Sequence, residues 1–535
     1  MSLRAKPYDE CLSPPLDQDM TNTKTIARNS GWYGIEQAVG LISGFVTSIL
    51  IARTLGPARN SYLVVVSQVA YWASTLGGLG IPETTSKYMS EFIGMGDRGT
   101  ARYIYFKTLI LQIVLATVVT AGVVVYILYD APADYRIAAI LIVLSIWPAL
   151  VNLVSSMANM ATENLATNLP ASISSTLVYA MVIGASVVMH WGVVGIGAAL
   201  FVMRAVDFLV RLIPTMRRVL SWDTTHVQPP GLSDRMISFA WQSVTTLLVS
   251  LIVWNRSEVF LLQRFNSDIN QISYYSVAFS LAERLLLVST IFGSATATTI
   301  FVQYGRDKSR LPLITASTFR YLALMAIPLH FIAVSLAVPA LLLLYGRAWA
   351  GAAAVATLAP LFCIPKAFIS PAQSILQSHE RQSFVIWVTA FASIVDLGVA
   401  WWLVRADGAV GACIGSGVAQ MTAVGMMWVI SVKLFKVRLP WLFVGKVALI
   451  SIVASLAAHY VAIQFDPFWG LVLGGLASIV VFFVLFYFFR VLELEDRSRF
   501  ESLTRMLPAP LAKAASTMLA IFVPAAPADV NPANV

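Results

Sequence analysis

"IARTLGPARNSYLVVVSQVA" (51–70) is matched later in the same chain by "LLQRFNSDINQISYYSVAFSLA" (261–282). The alignment pairs Arg53 with Arg264, Tyr62 with Tyr275 and Ser67 with Ser280. Further matches are Lys107 with Arg320, Pro148 with Pro365, Glu163 with Glu380, and "GVVGIGAAL" (192–200) with "GAVGACIGS" (408–416). Because the matches keep the same order at the nearly constant offsets 211, 213, 217 and 216, they indicate an internal duplication.

The composition places this duplicated chain in a bilayer. Of its 535 residues, 58% are hydrophobic and only 12% are charged, whereas soluble domains have about 25% charged residues. A hydropathy window of about 19 residues predicts about fourteen membrane spans. They are 31–53, 62–82, 106–128, 137–159, 169–190, 193–215, 237–262, 272–300, 320–345, 350–376, 383–404, 409–432, 441–463 and 468–490.

The repeat defines how these spans are grouped. Each copy contains six spans, an even number, so both copies cross the membrane in the same direction and are related by an axis along its normal. We therefore predict an all-α polytopic membrane protein with two six-helix lobes, related by a pseudo-twofold, and two C-terminal helices. The predicted segments are a cytoplasmic tail (1–30), an N-lobe (31–215), a cytoplasmic linker (216–236), a C-lobe (237–432), helices 13 and 14 (433–490) and a C-terminal cytoplasmic tail (491–535). The first 24 residues are expected to be flexible, 494–507 to form an interfacial or cytoplasmic helix, and 524–535 to be disordered.

Basic residues set the orientation. With the N-terminus inside, 26 of the 36 lysines and arginines fall on inside segments, 6 fall on outside loops and 4 lie within spans. This asymmetry predicts that both termini are cytoplasmic. The net charge of +9 is distributed over the span ends, which argues against a nucleic-acid partner. The outside loops are too short for a catalytic domain, so we expect no enzyme activity. The polar N-terminus predicts no cleavable signal peptide.

Nine ionisable side chains lie inside the predicted spans. The cations are Arg204, Arg256, Arg284 and Lys366, and the acids are Glu36, Asp207, Glu258, Glu283 and Asp396. A charge at the bilayer centre costs about 2.5–3.5 kcal/mol on insertion scales, so these side chains must face a wet cavity or one another. Salt bridges that only join helices are the alternative for any one of them. Arg204, Asp207 and Arg211 share one helix face, and Pro365 and Pro371 predict a broken helix around Lys366.

Other motifs have ordinary structural readings. "GVVGIG" (192–197) follows no strand, so it predicts a glycine-rich turn that permits close helix packing, not a nucleotide site. His330 and His459 are expected to pack or to form hydrogen bonds. Cys11, Cys363 and Cys413 are too far apart in sequence for a metal or redox motif, so no metal site is predicted.

Three stretches resemble one known family. They are "NSGWYGIEQAVGLISGFVTSILIARTLGPARNSYLVV" (29–65), "GLGIPETTSKYMSE" (78–91) and "NRSEVFLLQRFNSDINQISYYSVAFSLAE" (255–283). They resemble Wzx-type oligosaccharide flippases of the multidrug/oligosaccharidyl-lipid/polysaccharide (MOP) superfamily, over about residues 25–490.

The resemblance implies a function. It implies a fourteen-helix transporter that moves an undecaprenyl-diphosphate-linked oligosaccharide to the outer leaflet by alternating access, with substrate held between the lobes. Its partners would be this lipid, membrane lipids, and the polymerase and glycosyltransferases of the same pathway. Cations in the cavity would hold the diphosphate, which here implies Arg256, Arg204, Arg284 and Lys366. No cofactor is expected, but a proton gradient, a sodium gradient or the membrane potential can drive transport through acids such as Glu258, Asp207 or Glu283.

Arg256 is the first candidate for contacting substrate. The first repeat has Phe45 and Thr47 where the second has Arg256 and Glu258, so this charged pair belongs to the second lobe alone. We expect Glu258 to be the partner of Arg256 or the coupling acid. A drug/cation antiporter of the same superfamily, a peptidoglycan-precursor flippase, a membrane glycosyltransferase or polymerase, and a non-transporting scaffold remain alternatives. The antiporter would require acids to dominate the cavity.

Overall fold

The computed structural model describes residues 16–492, except 163, 165–166, 225–228 and 267; the side chains of 16–38, 130, 294, 295, 298 and 302 also lie outside the description. Glu163, nearly all of the predicted C-terminal tail and the side chain of Glu36 are therefore outside the described part. Helix α1 already begins at Leu16. Residues 16–30 therefore lie in this helix, and the cytoplasmic placement of the tail stays a prediction.

The described residues form sixteen α-helices and no strand. They are α1 (Leu16–Leu76), α2 (Ile81–Gly94), α3 (Arg98–Asp130), α4 (Ala133–Leu144), α5 (Ile146–Ala161), α6 (Asn168–Val188), α7 (Gly192–Leu220), α8 (Leu232–Trp254), α9 (Glu258–Phe265), α10 (Asn270–Arg306), α11 (Leu311–Tyr345), α12 (Ala353–Ala367), α13 (Ile369–Ser378), α14 (Gln382–Phe435), α15 (Trp441–Ala462) and α16 (Pro467–Phe488). Short 3-10 turns precede α11 and α12.

The helices confirm the predicted membrane fold. Within the described residues, twelve helical stretches are long and apolar enough to cross a bilayer. Two of them, Val39–Gly94 and Gln382–Phe435, each contain two predicted spans. These long stretches are broken at Gly56 and Gly408, where φ is 71° and 54°. Glycine has no Cβ and adopts positive φ at little cost, so each break starts a new span.

The paired glycine motifs have the same role in both copies. Gly192 and Gly408 both have positive φ, at 58° and 54°. A Cβ on Gly195 would collide with the Ser186 side chain, and a Cβ on Gly411 would collide with the Leu403 carbonyl. Both motifs therefore start a helix and let it pack closely on its neighbour, which confirms the structural reading of "GVVGIG".

Contacts divide the chain into two compact units. The first consists of Met1–Leu50 and Val69–Thr245, and the second of Ile51–Gln68 and Thr246–Val535. In the first, α2, α3 and α5 pack together, and α7 packs along α4 and α6. In the second, α10, α12 and α14 pack together and the α15–α16 hairpin packs on α11. These units differ from the lobes predicted from the repeat, because 51–68 is grouped with the second unit and 237–245 with the first. The boundaries of the lobes stay a prediction.

Both copies of the repeated stretch contribute to one hydrogen-bonded cluster in the second unit. Asn60 Nδ2 donates to Ser273 Oγ at 3.0 Å, and Ser61 Oγ lies 2.9 Å from the same oxygen. Ser61 Oγ also donates to the Ile269 carbonyl at 2.6 Å, and Ser273 Oγ donates to the Pro57 carbonyl at 2.8 Å. We call Asn60, Ser61 and Ser273 the serine cluster. It ties the start of the second span to the start of α10.

Candidate functional site

The seventh predicted span is not one helix. Helix α8 ends at Trp254 and α9 begins at Glu258, and between them Arg256 has a left-handed φ of 54°. A helix end leaves carbonyls without intrahelical partners. One of them is satisfied from outside, because Gln68 Nε2 donates to the Asn255 carbonyl at 2.5 Å. The equivalent residues of the first repeat, Phe45 and Thr47, lie inside unbroken helix.

The break presents Arg256 to an acid on α10. The Arg256 guanidinium forms an ion pair with Glu283 Oε2, and Lys366 Nζ lies 2.8 Å from Glu283 Oε1. The side chains of these three residues are 23–26% exposed. We call Arg256, Glu283 and Lys366 the cation bridge. Of the two roles expected for Glu258, the packing of α10 gives the pairing with Arg256 to Glu283, and coupling stays a prediction.

A second helix break positions Lys366. The predicted interruption around Pro365 is confirmed, since α12 ends at Ala367 and α13 begins at Ile369. The carbonyl of Phe368, which the break exposes, accepts from Trp428 Nε1 at 3.0 Å. Proline lacks an amide hydrogen and cannot continue the helical hydrogen-bond ladder. Lys366 therefore leaves the last turn of α12 directly toward Glu283.

Arg284 follows Glu283 on α10 and adds positive charge to the same region. Its side chain is partly exposed and interacts electrostatically with Arg256, Glu283 and Tyr345. Three of the four predicted cavity cations thus gather around one carboxylate.

Glu258 belongs to a different cluster. Its carboxyl is fully buried and accepts from Tyr275 Oη at 2.9 Å. It faces the carboxyl of Asp396 on α14, which is also fully buried and accepts from Ser257 Oγ at 3.0 Å. The Ser416 hydroxyl interacts with Glu258 as well. We call Glu258 and Asp396 the carboxyl pair.

The carboxyl pair cannot carry two full charges at low cost. Glu258 Oε1 and Asp396 Oδ1 have no hydrogen-bond donor among the described residues. Two adjacent buried carboxylates repel each other, so such a pair holds a shared proton or lies against a cation. The sequence identified both acids but not their pairing. Tyr275 was missed as a partner, although the repeat alignment had singled it out.

The charges of the first unit form a compact internal pair. Arg211 Nη2 lies 2.8 Å from Asp207 Oδ1, with side-chain exposures of 7% and 14%. Asn152 Nδ2 donates to Asp207 Oδ2 at 2.5 Å, and Arg211 Nη1 donates to Ser156 Oγ at 3.1 Å. Arg204, on the same helix, is exposed. The shared helix face predicted from the spacing thus holds a buried ion pair and one exposed cation.

The two intramembrane histidines differ in their surroundings. His330 is fully buried, and its Nδ1 lies 2.7 Å from the Ala326 carbonyl. This confirms the hydrogen-bonding role expected of it. His459 is exposed.

Comparison with known families gives one match that covers half of the chain. A family model described as "Polysaccharide biosynthesis protein" matches residues 26–303. Among curated protein sequences, none matches this chain.

Several solved structures share the fold. The lipid II flippase MurJ in an inward closed conformation superposes with a TM-score of 0.68 and 14% identity, covering 85% of this chain and 98% of that one. An inward-facing multidrug resistance MATE transporter of the MOP superfamily superposes with a TM-score of 0.62 and 16% identity, covering 74% of this chain and 95% of that one. A MOP superfamily transporter from Pyrococcus furiosus superposes with a TM-score of 0.56 and 16% identity, covering 77% of this chain and 96% of that one. At these identities the likeness shows the fold alone.

Proposed function

The chain belongs to the polysaccharide biosynthesis protein family and has the fold of MOP superfamily transporters, and on that basis we propose that it is a lipid-linked oligosaccharide flippase. It would move an undecaprenyl-diphosphate-linked glycan from the cytoplasmic to the outer leaflet of a bacterial inner membrane by alternating access. The observation that carries this proposal is the cation bridge, which sets two partly exposed cations beside membrane-spanning helices.

The chemistry of the substrate explains the cations. A diphosphate must lose its water to cross the bilayer, and arginine and lysine replace that water with charged donors. Arg256 and Lys366 would contact the diphosphate, with Arg284 adding charge nearby. Arg204 stays a candidate for a second contact.

We assign coupling to the carboxyl pair. Uptake of a proton or a sodium ion at Glu258 and Asp396 would neutralise the pair and favour one of two conformations. The hydroxyls of Tyr275, Ser257 and Ser416 supply further oxygens around it. Because the pair is distinct from the cation bridge, ion binding and diphosphate binding would use different side chains.

The carboxyl pair also favours a second candidate. A drug/cation antiporter needs buried acids, and Glu258 and Asp396 provide two. The cation bridge argues against it, because a cationic substrate would be repelled there. A peptidoglycan-precursor flippase would use the same lipid-diphosphate chemistry.

A gene deletion distinguishes these functions. In a deletion strain, the flippase predicts loss of surface polysaccharide and accumulation of the lipid-linked precursor on the cytoplasmic face, both reversed by the wild-type gene. Unchanged polysaccharide together with altered drug tolerance would point to the antiporter. Loss of cell-wall precursor export with intact polysaccharide would point to the peptidoglycan flippase.

A further inference from the structure

Glu283 is held as a bound anion would be. Both of its carboxylate oxygens are engaged, one by Arg256 and the other by Lys366. The two cations come from different helix breaks, so no single helix fixes their separation. A phosphate oxygen pair would present acceptors to the same two groups, because arginine and lysine bind carboxylate and phosphate through the same charge-assisted hydrogen bonds.

The cation bridge is partly exposed, unlike the carboxyl pair. Glu283 is 26% exposed, whereas the carboxyl groups of Glu258 and Asp396 are fully buried. The side chains of Arg256, Glu283 and Lys366 therefore contribute to the accessible surface of the protein. Arg256 also lies outside regular helix, so it can be redirected without bending one.

We propose that Glu283 is an exchangeable internal anion, which neutralises Arg256 and Lys366 in the empty transporter and is displaced by the substrate's diphosphate; this rests on the proposed function. Without any anion, neighbouring cations would stand unpaired in the membrane, which is costly. With both anions present, Glu283 and the diphosphate would repel each other. Glu283 thereby weakens diphosphate binding and permits release.

A binding measurement tests the exchange. The full-length protein in detergent is titrated with farnesyl diphosphate at low salt, with farnesol as the uncharged control. Removing the competing charge by Glu283→Gln is expected to tighten farnesyl diphosphate binding about tenfold, equivalent to roughly 1.4 kcal/mol. Arg256→Gln is expected to weaken it by a similar factor. Binding of farnesol should not change with either variant.

Glu91→Gln is the matched control. It also removes an acid that pairs with an arginine, since Glu91 Oε1 lies 2.9 Å from Arg235 Nη2. This pair is far along the chain from the cation bridge. It should leave the affinity unchanged. If Glu283→Gln does not fold, Glu283→Asp replaces it. The shorter side chain cannot reach both cations equally, and a few-fold tighter binding is expected.

Two results would overturn the proposal. Equal or weaker binding by a folded Glu283 variant would mean that Glu283 only positions the cations, and this leaves the flippase function intact. Absence of diphosphate binding by the wild-type protein would remove both the exchange and the diphosphate site of the proposed function.

Discussion

At the scale of single residues, the sequence identified the charged groups but not their partners. Arg256 and Glu258 lie two residues apart, and the helix break between α8 and α9 separates them into different clusters. Arg256 pairs with Glu283 on α10, and Glu258 with Asp396 on α14. Neither pairing follows a helical spacing, because each depends on how whole helices pack. By contrast, the Asp207–Arg211 pair is spaced by four residues on one helix, so it was readable from sequence.

Glu258→Gln tests the carboxyl pair. The amide cannot take up a proton or bind sodium as a carboxylate does, so lipid flipping in proteoliposomes should lose its response to an imposed proton or sodium gradient. Thermal stability should not fall, because one of two mutually repelling buried acids is removed. Asp396→Asn should behave alike, and the double variant should add little to either. A fully gradient-dependent Glu258→Gln would contradict the coupling role.

Asp207→Ala tests the internal pair of the first unit. The substitution leaves Arg211 buried without its carboxylate, which costs about 3–5 kcal/mol when one partner of a buried pair is removed. We expect a clearly lower melting temperature and poor yield in detergent. Replacing both residues, as Asp207→Leu with Arg211→Met, should recover much of this stability. A stable Asp207→Ala that no longer transports would instead make Asp207 a coupling acid.

At the scale of elements, hydropathy predicted the membrane helices but not the breaks at 77–80, at Ser145 and at 255–257. The window cannot resolve three residues, and "VWNRSE" (253–258) contains no glycine or proline to mark the interruption. The break around Pro365 was predictable because proline marks it. Gly192 and Gly408 mark matching helix starts, which the repeat had already aligned. Glycine or proline therefore marked the breaks at Gly192, Pro365 and Gly408, but the predicted span 62–82 ran through the glycine-rich break at 77–80.

The serine cluster predicts a conformational lock. The Ser61 and Ser273 hydroxyls are 2.9 Å apart, close enough for cysteines at both positions to form a disulfide. If the two copies of the repeated stretch separate during transport, oxidising the Ser61→Cys/Ser273→Cys variant should abolish flipping, and a reductant should restore it. Each single variant serves as a control and should stay active under oxidation. Undiminished flipping by a fully cross-linked protein would show that this contact does not open.

At the scale of the whole molecule, the duplication and the distribution of basic residues carried the prediction furthest. The repeat predicted two copies of six spans, and the described residues contain twelve apolar helical stretches, two of which each hold two predicted spans. The family followed from the same stretches and is supported by the model match over 26–303. The glycan could not be predicted, because two or three cations recognise a diphosphate whatever sugar it carries.

Cysteine labelling tests the predicted orientation. Ser309 and Ala406 are both exposed and lie on opposite sides of the membrane if the basic segments are cytoplasmic. In intact spheroplasts of a Cys11→Ser background, an impermeant maleimide should label Ala406→Cys at once. Ser309→Cys should react only after permeabilisation. The reverse pattern would invert the topology. Native Cys363 and Cys413 are buried and should contribute little background.

The most direct test of the central claim is flipping of a lipid-diphosphate-linked oligosaccharide in proteoliposomes. The account predicts rapid flipping by the wild-type protein and at least a tenfold slower rate for Arg256→Ala, equivalent to about 1.4 kcal/mol or more. Arg306→Ala, which changes an exposed arginine at the end of α10, should flip at the wild-type rate. A folded Arg256→Ala protein that flips the lipid as fast as the wild type would contradict the assignment of the cation bridge as the diphosphate site.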